Sequence, residues 1–254
     1  MTPTLPLPTH LQPPSEGSRT GTDREAVAPV LPTDRFAVGI DLSQWQGPNF
    51  PFHHAAEAGF TFAYLRATVR TKTDPCYAIN RARALDAGLL TGAYHYLYPT
   101  PNPRRQAFEF FNAVRAHYQQ PDRLPPGLDV EENELTEDHV LDFLEAWMQV
   151  SETFAAGSAA KAHLAIYTSR HKWHNLVCRE APEWPTSFPL WVADWGNLDE
   201  PRLPDAWDHW LFWQWTSKGR IPGHTGPVDL NYYNGTPAQL REHYDVVSPS
   251  NDAS

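Results

Sequence analysis

The stretch PGLDVEEN, residues 126–133, places three carboxylates within four positions, at Asp129, Glu131 and Glu132. Apolar residues alternate with the first two carboxylates, which is the pattern of a β-strand, where residues two apart point to the same face. We therefore expect Asp129 and Glu131 to lie side by side. Each charge then disfavours ionisation of the other, so one carboxyl should keep its proton to a higher pH.

A protonated acid beside an ionised carboxylate is suited to hydrolysis of a glycosidic bond. One group protonates the leaving oxygen, and the other stabilises the developing oxocarbenium charge. The alternative is an acidic strand edge that faces water and has no catalytic role, and the spacing alone does not decide between the two. Glu132 and Glu134 are interpreted as solvated loop charges.

Short apolar runs alternate with helical patterns on both sides of this stretch, which indicates βαβ units and a mainly parallel sheet. Eight predicted strands and about five helices favour a single α/β domain, an irregular TIM-like (β/α) barrel with fewer helices than strands. The predicted strands are 36–40, 61–67, 91–99, 126–131, 163–169, 189–195, 210–217 and 227–233. The predicted helices are 53–60, 76–88, 104–119, 137–155 and 170–177.

In barrels of this type the functional groups lie at the carboxyl ends of the strands. Asp41 follows the first predicted strand, Asp194 closes the sixth and Asp229 lies in the last, so all three join the Asp129/Glu131 pair as candidate site residues. We expect Asp194 to contact substrate. A single Asp after a strand is more often a helix cap or turn residue, and this alternative stays open for Asp41.

Other polar residues carry weaker signals. His95 lies within the third predicted strand and is equally compatible with a core histidine and a site residue. Surface positions are expected for Asp199, Asp205 and Asp208.

Aromatic residues support a carbohydrate site. Seven of the ten Trp residues fall between positions 184 and 215. About half of them are expected to form a bulky barrel wall, and aromatic rings at strand ends would offer flat platforms for sugar rings. The candidate platforms are Tyr94, Tyr167, Trp191 and Trp195.

Composition excludes several classes of function. The 254-residue chain has a net charge of −10 and no stripe rich in Lys or Arg, which argues against nucleic-acid binding. No apolar run approaches the roughly 18 residues needed to cross a bilayer. The His residues show no paired ligand spacing, and no nucleotide-binding fingerprint occurs, so we expect neither a metal nor a cofactor. We expect a monomer.

The two ends of the chain differ from its centre. Residues 1–33 contain seven of the 25 Pro residues and no aromatic residue, which predicts a disordered tail, and residues 248–254 are interpreted in the same way. The barrel domain is therefore assigned to residues 34–247. The start of the chain lacks the pattern of a signal peptide, so we expect the protein to be cytoplasmic until it is released or exported by another route. Cys76 and Cys178 are interpreted as two buried thiols, with a single disulfide as the alternative.

Several motifs in order along residues 38–240 carry a family resemblance: VGIDLSQWQG, GAYHYLYP, GLDVEEN, AIYTS, LWVADW, FWQWTS and VDLNYYNGT. Together they resemble glycoside hydrolase family 25, the Chalaropsis-type lysozymes. The resemblance implies an irregular barrel that cleaves the β-1,4 bond between N-acetylmuramic acid and N-acetylglucosamine in peptidoglycan, so that the protein would act on the cell wall.

The resemblance also implies roles for individual residues. Glu131 would be the general acid and base, and Asp129 would assist the 2-acetamido group of the substrate as internal nucleophile, with retention of configuration. Asp41 and Asp229 match two further acidic residues of the cleft. The positions that would shape the sugar site are Tyr94, Tyr167, Trp191 and Gln214.

One segment departs from the family pattern. After the second strand the family usually reads Lys-Ala-Thr-Glu-Gly, whereas this chain has Arg66 first and Val69 and Arg70 in place of Glu and Gly. The departure keeps open a non-catalytic glycan-binding barrel as an alternative. A hydrolase of another N-acetylated glycan, such as chitin, is a second alternative.

Overall fold

The computed structural model describes residues 35–117, 124–154, 164–176, 183–195 and 200–244. Both predicted tails, Cys178 and Asp199 lie outside these described residues. Cys76 is a buried free thiol. None of the helices in the described ranges is long and apolar enough to cross a membrane.

Nine strands and six α-helices occur in the described part of the chain. The strands are β1 (Ala37–Leu42), β2 (Phe62–Val69), β3 (Lys72–Thr73), β4 (Leu90–Tyr96), β5 (Gly127–Asp129), β6 (Ala165–Thr168), β7 (Leu190–Ala193), β8 (Phe212–Gly219) and β9 (Val228–Tyr233). The helices are α1 (Phe52–Glu57), α2 (Tyr77–Asp86), α3 (Pro103–Val114), α4 (Glu137–Phe154), α5 (Arg170–Leu176) and α6 (Pro237–Tyr244).

Eight of the strands close into a barrel in the order β1-β9-β8-β7-β6-β5-β4-β2, with β2 pairing back onto β1. The short strand β3 extends β2 as a hairpin outside the closed ring. The prediction of an irregular eight-stranded α/β barrel is therefore confirmed. Five helices follow the first five barrel strands as expected, and α6 is a sixth that the sequence pattern did not reveal.

The barrel is mixed rather than wholly parallel, because β9 runs antiparallel to both of its neighbours. The connection from β8 to β9 is a short loop, 220–227, without a crossover helix. A parallel neighbour requires a crossover of a dozen or more residues, so this short loop reverses the chain direction.

Alternation along each strand separates two cores. Outward-facing residues such as Val38 and Ile40 pack against the helices together with Phe143 and Trp147 of α4. The inward side is largely aromatic and includes Phe62, Tyr64, Trp191 and Phe212. The rings need space that only glycine leaves: a Cβ on Gly39 would lie 2.3 Å from the Phe62 ring, and one on Gly92 would lie 2.3 Å from the Tyr64 ring. These rings fill the inside of the barrel towards the amino ends of its parallel strands. The space that remains lies at the carboxyl ends of those strands.

Candidate active site

A cavity of about 280 Å³ opens at this end of the barrel. Four carboxylates and one guanidinium group line it, together with aromatic and amide side chains. The charged lining residues are Asp41, Asp129, Glu131, Asp229 and Arg66. All four acids assigned from the sequence as catalytic candidates therefore meet in one space.

Strand direction explains why acids from distant positions converge. Asp129 is the last residue of β5, and Glu131 follows two positions later, so both point to the inner side as the alternation predicts. Asp41 lies near the carboxyl end of β1 and is paired with Asp229 near the amino end of β9. Because β9 is antiparallel, its amino end reaches the same mouth as the carboxyl ends of the other strands.

Asp129 is held in an environment that disfavours its charge. It is 6% exposed, and its Oδ1 atom has no hydrogen-bond partner among the described residues. Burial, followed by the charges of Glu131 and Asp41, raises the pKa of Asp129 well above its usual range, and Arg66 opposes the shift. The unpartnered oxygen is itself buried, which adds to the cost of ionising this carboxyl.

Glu131 is less enclosed than Asp129 and is suited to hold a proton. Burial raises its pKa, while a hydrogen bond from Tyr96 and the positive charge of Lys172 act in the opposite direction. Opposing effects of this kind bring the pKa of a carboxylic acid close to the working pH, where the group can act as a general acid.

Asp41 is fixed by amide groups. Its Oδ2 atom accepts hydrogen bonds from Gln214 Nε2 at 2.9 Å and from Asn231 Nδ2 at 2.8 Å. Burial raises the pKa of Asp41 to about 6, and these two hydrogen bonds limit the rise. Asn231 was not a sequence candidate, although its position two residues after Asp229 on the inward face of β9 could have indicated it.

The aromatic candidates lie around the same cavity, but only some are accessible. Tyr94, Tyr167 and Trp191 line it and are 8%, 7% and 1% exposed. Trp191 is enclosed by other rings and donates from Nε1 to Asn231 Oδ1 at 2.8 Å, so it supports the amide network instead of presenting a free face. Trp195 is 56% exposed and lines the mouth.

Gln214 links two of the aromatic candidates to Asp41 through hydrogen bonds. Its Oε1 atom accepts hydrogen bonds from Tyr167 Oη at 3.0 Å and from Trp195 Nε1 at 2.8 Å, while its Nε2 atom donates to Asp41. A second accessible ring at the mouth, Trp45, is 79% exposed and was not among the sequence candidates for a platform.

Asp194 does not join the cavity lining, contrary to the expectation that it contacts substrate. Its carboxylate accepts hydrogen bonds from the backbone N–H of Arg202 at 2.7 Å and from Arg202 Nε at 3.0 Å. Both groups belong to the loop that precedes β8. The carboxylate is therefore used to hold that loop, which the strand-end position alone could not reveal.

The structure also shows the environment of three other polar residues, His95, Glu132 and Glu134. His95 is fully buried between the barrel and α3, where it contacts Thr68 Oγ1 at 2.7 Å and Gln106 Oε1 at 3.1 Å. Burial lowers its pKa to about 3, so it is a neutral core histidine. Glu134 is exposed as predicted, whereas Glu132 is only partly exposed and accepts a hydrogen bond from Tyr96.

Arg66 contributes a positive charge to the cavity lining, and an ion pair with Asp74 fixes its position. Its Nε atom lies 2.9 Å from Asp74 Oδ2, and the two side chains are 9% and 1% exposed. Asp74 also accepts from the backbone N–H groups of Gln44 and Cys76. A register shift between Arg66 and Thr68 lets Arg66 face the cavity while Thr68 turns outward to His95.

The segment that departs from the family pattern ends β2 and begins its turn to β3. Arg70 adopts a positive φ of 54°, which a glycine would adopt without strain. Its guanidinium carbon lies 3.9 Å from the centre of the Tyr98 ring. Within the described ranges, no group of three or more His, Cys, Asp or Glu side chains is arranged to hold a metal ion.

The crowding of acids predicts a measurable cost in stability at Asp229. Burial and the charges of Asp41 and Glu131 raise its pKa to about 8, against an ordinary value of 3.8. A carboxyl whose folded-state pKa is raised destabilises the fold as the pH rises from about 4 to about 8. Water at the half-buried side chain screens part of this penalty, so Asp229→Asn should raise the free energy of unfolding at pH 7 by roughly 1–3 kcal/mol.

Calorimetric melting at pH 7 and at pH 4 would measure the effect of this change. The gain in melting temperature should be present at pH 7 and much smaller at pH 4, where the folded state carries the proton and the unfolded state is about half protonated. Asp208→Asn, at an exposed position, serves as the matched control and should change neither value. An equal gain at both pH values would show that charge crowding is not the cause.

Comparison with known proteins agrees with this geometry. The family model for glycosyl hydrolases family 25 matches residues 40–224. Lysozyme M1 of Streptomyces globisporus is 29% identical over 229 residues, which cover 89% of this chain and 76% of that protein. Similar solved structures include the bacterial lysozyme from Streptomyces coelicolor, with a TM-score of 0.69 and 28% identity over 84% of this chain and 98% of that one.

The muramidase from Acremonium alcalophilum is a further structural relative, with a TM-score of 0.65 and 25% identity over 81% of this chain and 97% of that one. The family match extends over more than half of the chain, and it includes the Asp129/Glu131 pair and Asp41. This chain therefore belongs to glycosyl hydrolases family 25 and is a glycoside hydrolase of the lysozyme type.

Proposed function

We propose that this protein is an N-acetylmuramidase that cleaves the β-1,4 bond between N-acetylmuramic acid and N-acetylglucosamine in the glycan strands of peptidoglycan. The observation that carries the proposal is the placement of Asp129 and Glu131 in one cavity, each with a raised pKa. The similarity to a lysozyme and to a muramidase supports the choice of substrate. The site of action is then the cell wall.

In the first step of the proposed mechanism, the acetamido oxygen of the substrate attacks the anomeric carbon as the glycosidic C–O bond breaks. Glu131 donates its proton to the departing oxygen. Asp129, which lines the cavity, accepts a hydrogen bond from the acetamido N–H and stabilises the positive charge of the oxazolinium intermediate.

In the second step, water attacks the anomeric carbon from the face that the leaving group vacated, while Glu131 takes a proton from that water. The ring formed by the acetamido group opens, and the product keeps the β configuration. Asp41 adds negative charge near the positively charged intermediate, whereas Asp229 beside it, with a pKa of about 8, is mainly protonated at neutral pH. The amide network through Gln214 and Asn231 keeps the Asp41 carboxylate in place.

Digestion of purified peptidoglycan, followed by borohydride reduction and mass spectrometry, tests the proposal. New reducing ends should be muramic acid residues, and proton NMR of the first products should show the β anomer. New ends on glucosamine, or cleavage of chitin at a comparable rate, would contradict the assignment of the bond. Absence of any new end would favour the alternative of a glycan-binding barrel without turnover.

A further inference from the structure

The hydroxyl group of Tyr96 donates to Glu132 Oε1 at 3.0 Å. Tyr96 also lines the same cavity as Glu131, and it lowers the pKa of Glu131 by offering that carboxyl a hydrogen bond. A phenol has one proton and therefore donates to one acceptor at a time. Glu131 and Glu132 thus compete for a single donor.

Tyr96 stays a donor under all working conditions. Burial, followed by the charge of Glu131, raises the pKa of Tyr96 above its usual range, so the phenol keeps its proton. Rotation about the C–O bond then redirects the donor while the phenol keeps its proton.

Glu132 would keep a partner when Tyr96 turns away. The Tyr98 ring lies beside that of Tyr96, with ring centres 5.3 Å apart, and Glu132 raises the pKa of Tyr98 as an acceptor for its hydroxyl. The guanidinium group of Arg70 packs on the Tyr98 ring and helps to hold that ring in place.

We propose that Tyr96 and Glu132 are positioning residues for Glu131: the Tyr96 hydroxyl bonds Glu132 while Glu131 holds its proton, and turns to Glu131 once that carboxyl has become ionised. This inference rests on the proposed function, in which Glu131 loses and regains a proton. Tyr96 gives up no proton in the exchange, and only its hydrogen bond changes acceptor.

Among the charged and titratable groups around Glu131, only Tyr96 and Glu132 are changed in the test. The groups come from the same segment, from five barrel strands and from one helix. They are Glu132 next to it, Asp129 on β5, Asp41 on β1, Tyr96 on β4, Tyr167 on β6, Asp229 on β9 and Lys172 on α5. Variants at Tyr96 and Glu132 alone therefore isolate the pair.

The two single variants should move the titration of Glu131 in opposite directions. Tyr96→Phe removes a donor to the ionised carboxylate and should raise the titration midpoint by about 0.5–1 pH unit. Glu132→Gln removes a neighbouring charge and leaves a weaker, neutral acceptor, so Tyr96 should favour Glu131 and the midpoint should fall by about 0.5–1 pH unit. Glu134→Gln, an exposed charge on the same loop, should shift it by less than about 0.2 unit.

The midpoint can be read directly by carbon NMR of protein labelled at the glutamate side-chain carboxyls, with the Glu131 signal identified by its loss in Glu131→Gln. The double variant separates a hydrogen-bond exchange from a simple charge effect. If the exchange occurs, the shift caused by Glu132→Gln is smaller when residue 96 is Phe. An equal shift in both backgrounds, or no rise in Tyr96→Phe, overturns the proposal.

The pH dependence of enzyme activity gives an independent measurement of the Glu131 titration. The alkaline limb of the kcat/KM profile on peptidoglycan should follow the NMR midpoints, since the reaction needs protonated Glu131. Normal cleavage with unchanged midpoints would overturn the positioning pair and leave the proposed function intact. Shifted midpoints without cleavage of peptidoglycan at any pH would overturn the proposed function and leave the pair intact.

Discussion

Replacement of Glu131 by Gln is expected to lower the rate of peptidoglycan cleavage by about 10²- to 10⁴-fold, the usual effect of removing a general acid and base. The amide has nearly the same shape but cannot give a proton to the leaving oxygen or take one from water. Burial has raised the pKa of this carboxyl, so the wild-type group carries the proton it must donate over a wider pH range than an exposed glutamate. The initial rate of formation of reducing ends measures the loss.

The matched control is Glu134→Gln, which makes the same chemical change three positions along the loop at an exposed side chain. It should keep the wild-type rate. Circular dichroism and the melting temperature establish that Glu131→Gln remains folded, which we expect because the substitution removes a charge that burial disfavours. A folded Glu131→Gln protein with close to wild-type activity would refute the assignment of the general acid.

Replacement of Asp129 by Asn should lower kcat by about 10²- to 10³-fold, with a much smaller effect on KM. The reason is that the negative charge matters most once the positively charged intermediate forms. The Asn amide also presents a donor where the acetamido N–H needs an acceptor. Single-turnover measurements on a defined oligosaccharide would separate this loss in the chemical step from a loss of binding.

The same Asp129→Asn change should leave the protein equally stable or more stable at pH 7. Asp129 is buried beside Glu131 and Asp41, and Oδ1 lacks a hydrogen-bond partner within the described structure. A fall in activity together with a rise in melting temperature identifies a residue kept for chemistry at a cost in stability. Asp208→Asn is the control for both measurements, and a large loss of stability in Asp129→Asn would contradict the interpretation.

Local patterns predicted most of the architecture because their physical cause is local. Short apolar runs marked all eight barrel strands, and the position of Asp129 and Glu131 two residues apart placed both side chains on the inner face. The antiparallel direction of β9 was not foreseen. Asp229 nevertheless reaches the mouth, because reversal of the strand brings its amino end to the same side as the carboxyl end of β1.

Residues whose partners are distant in sequence could not be assigned in this way. Asp194 and Asp41 both lie near strand ends, but Asp194 binds Arg202 and Asp41 binds Gln214 and Asn231. Nothing in the neighbouring sequence distinguishes these outcomes, because the difference depends on which strand or loop the closed barrel brings alongside.

The sequence by itself determined the barrel, the carboxylate pair and the family, because periodicity and motif spacing are properties of short segments. Only the tertiary structure decided which polar groups share the cavity and in which protonation state each is favoured. The pKa of a carboxyl depends on its burial and on charges contributed by other strands, as with Asp229 beside Asp41 and Glu131. The half-buried position of Glu132, bonded to Tyr96, likewise follows from the pairing of β4 with β5 and not from its own segment.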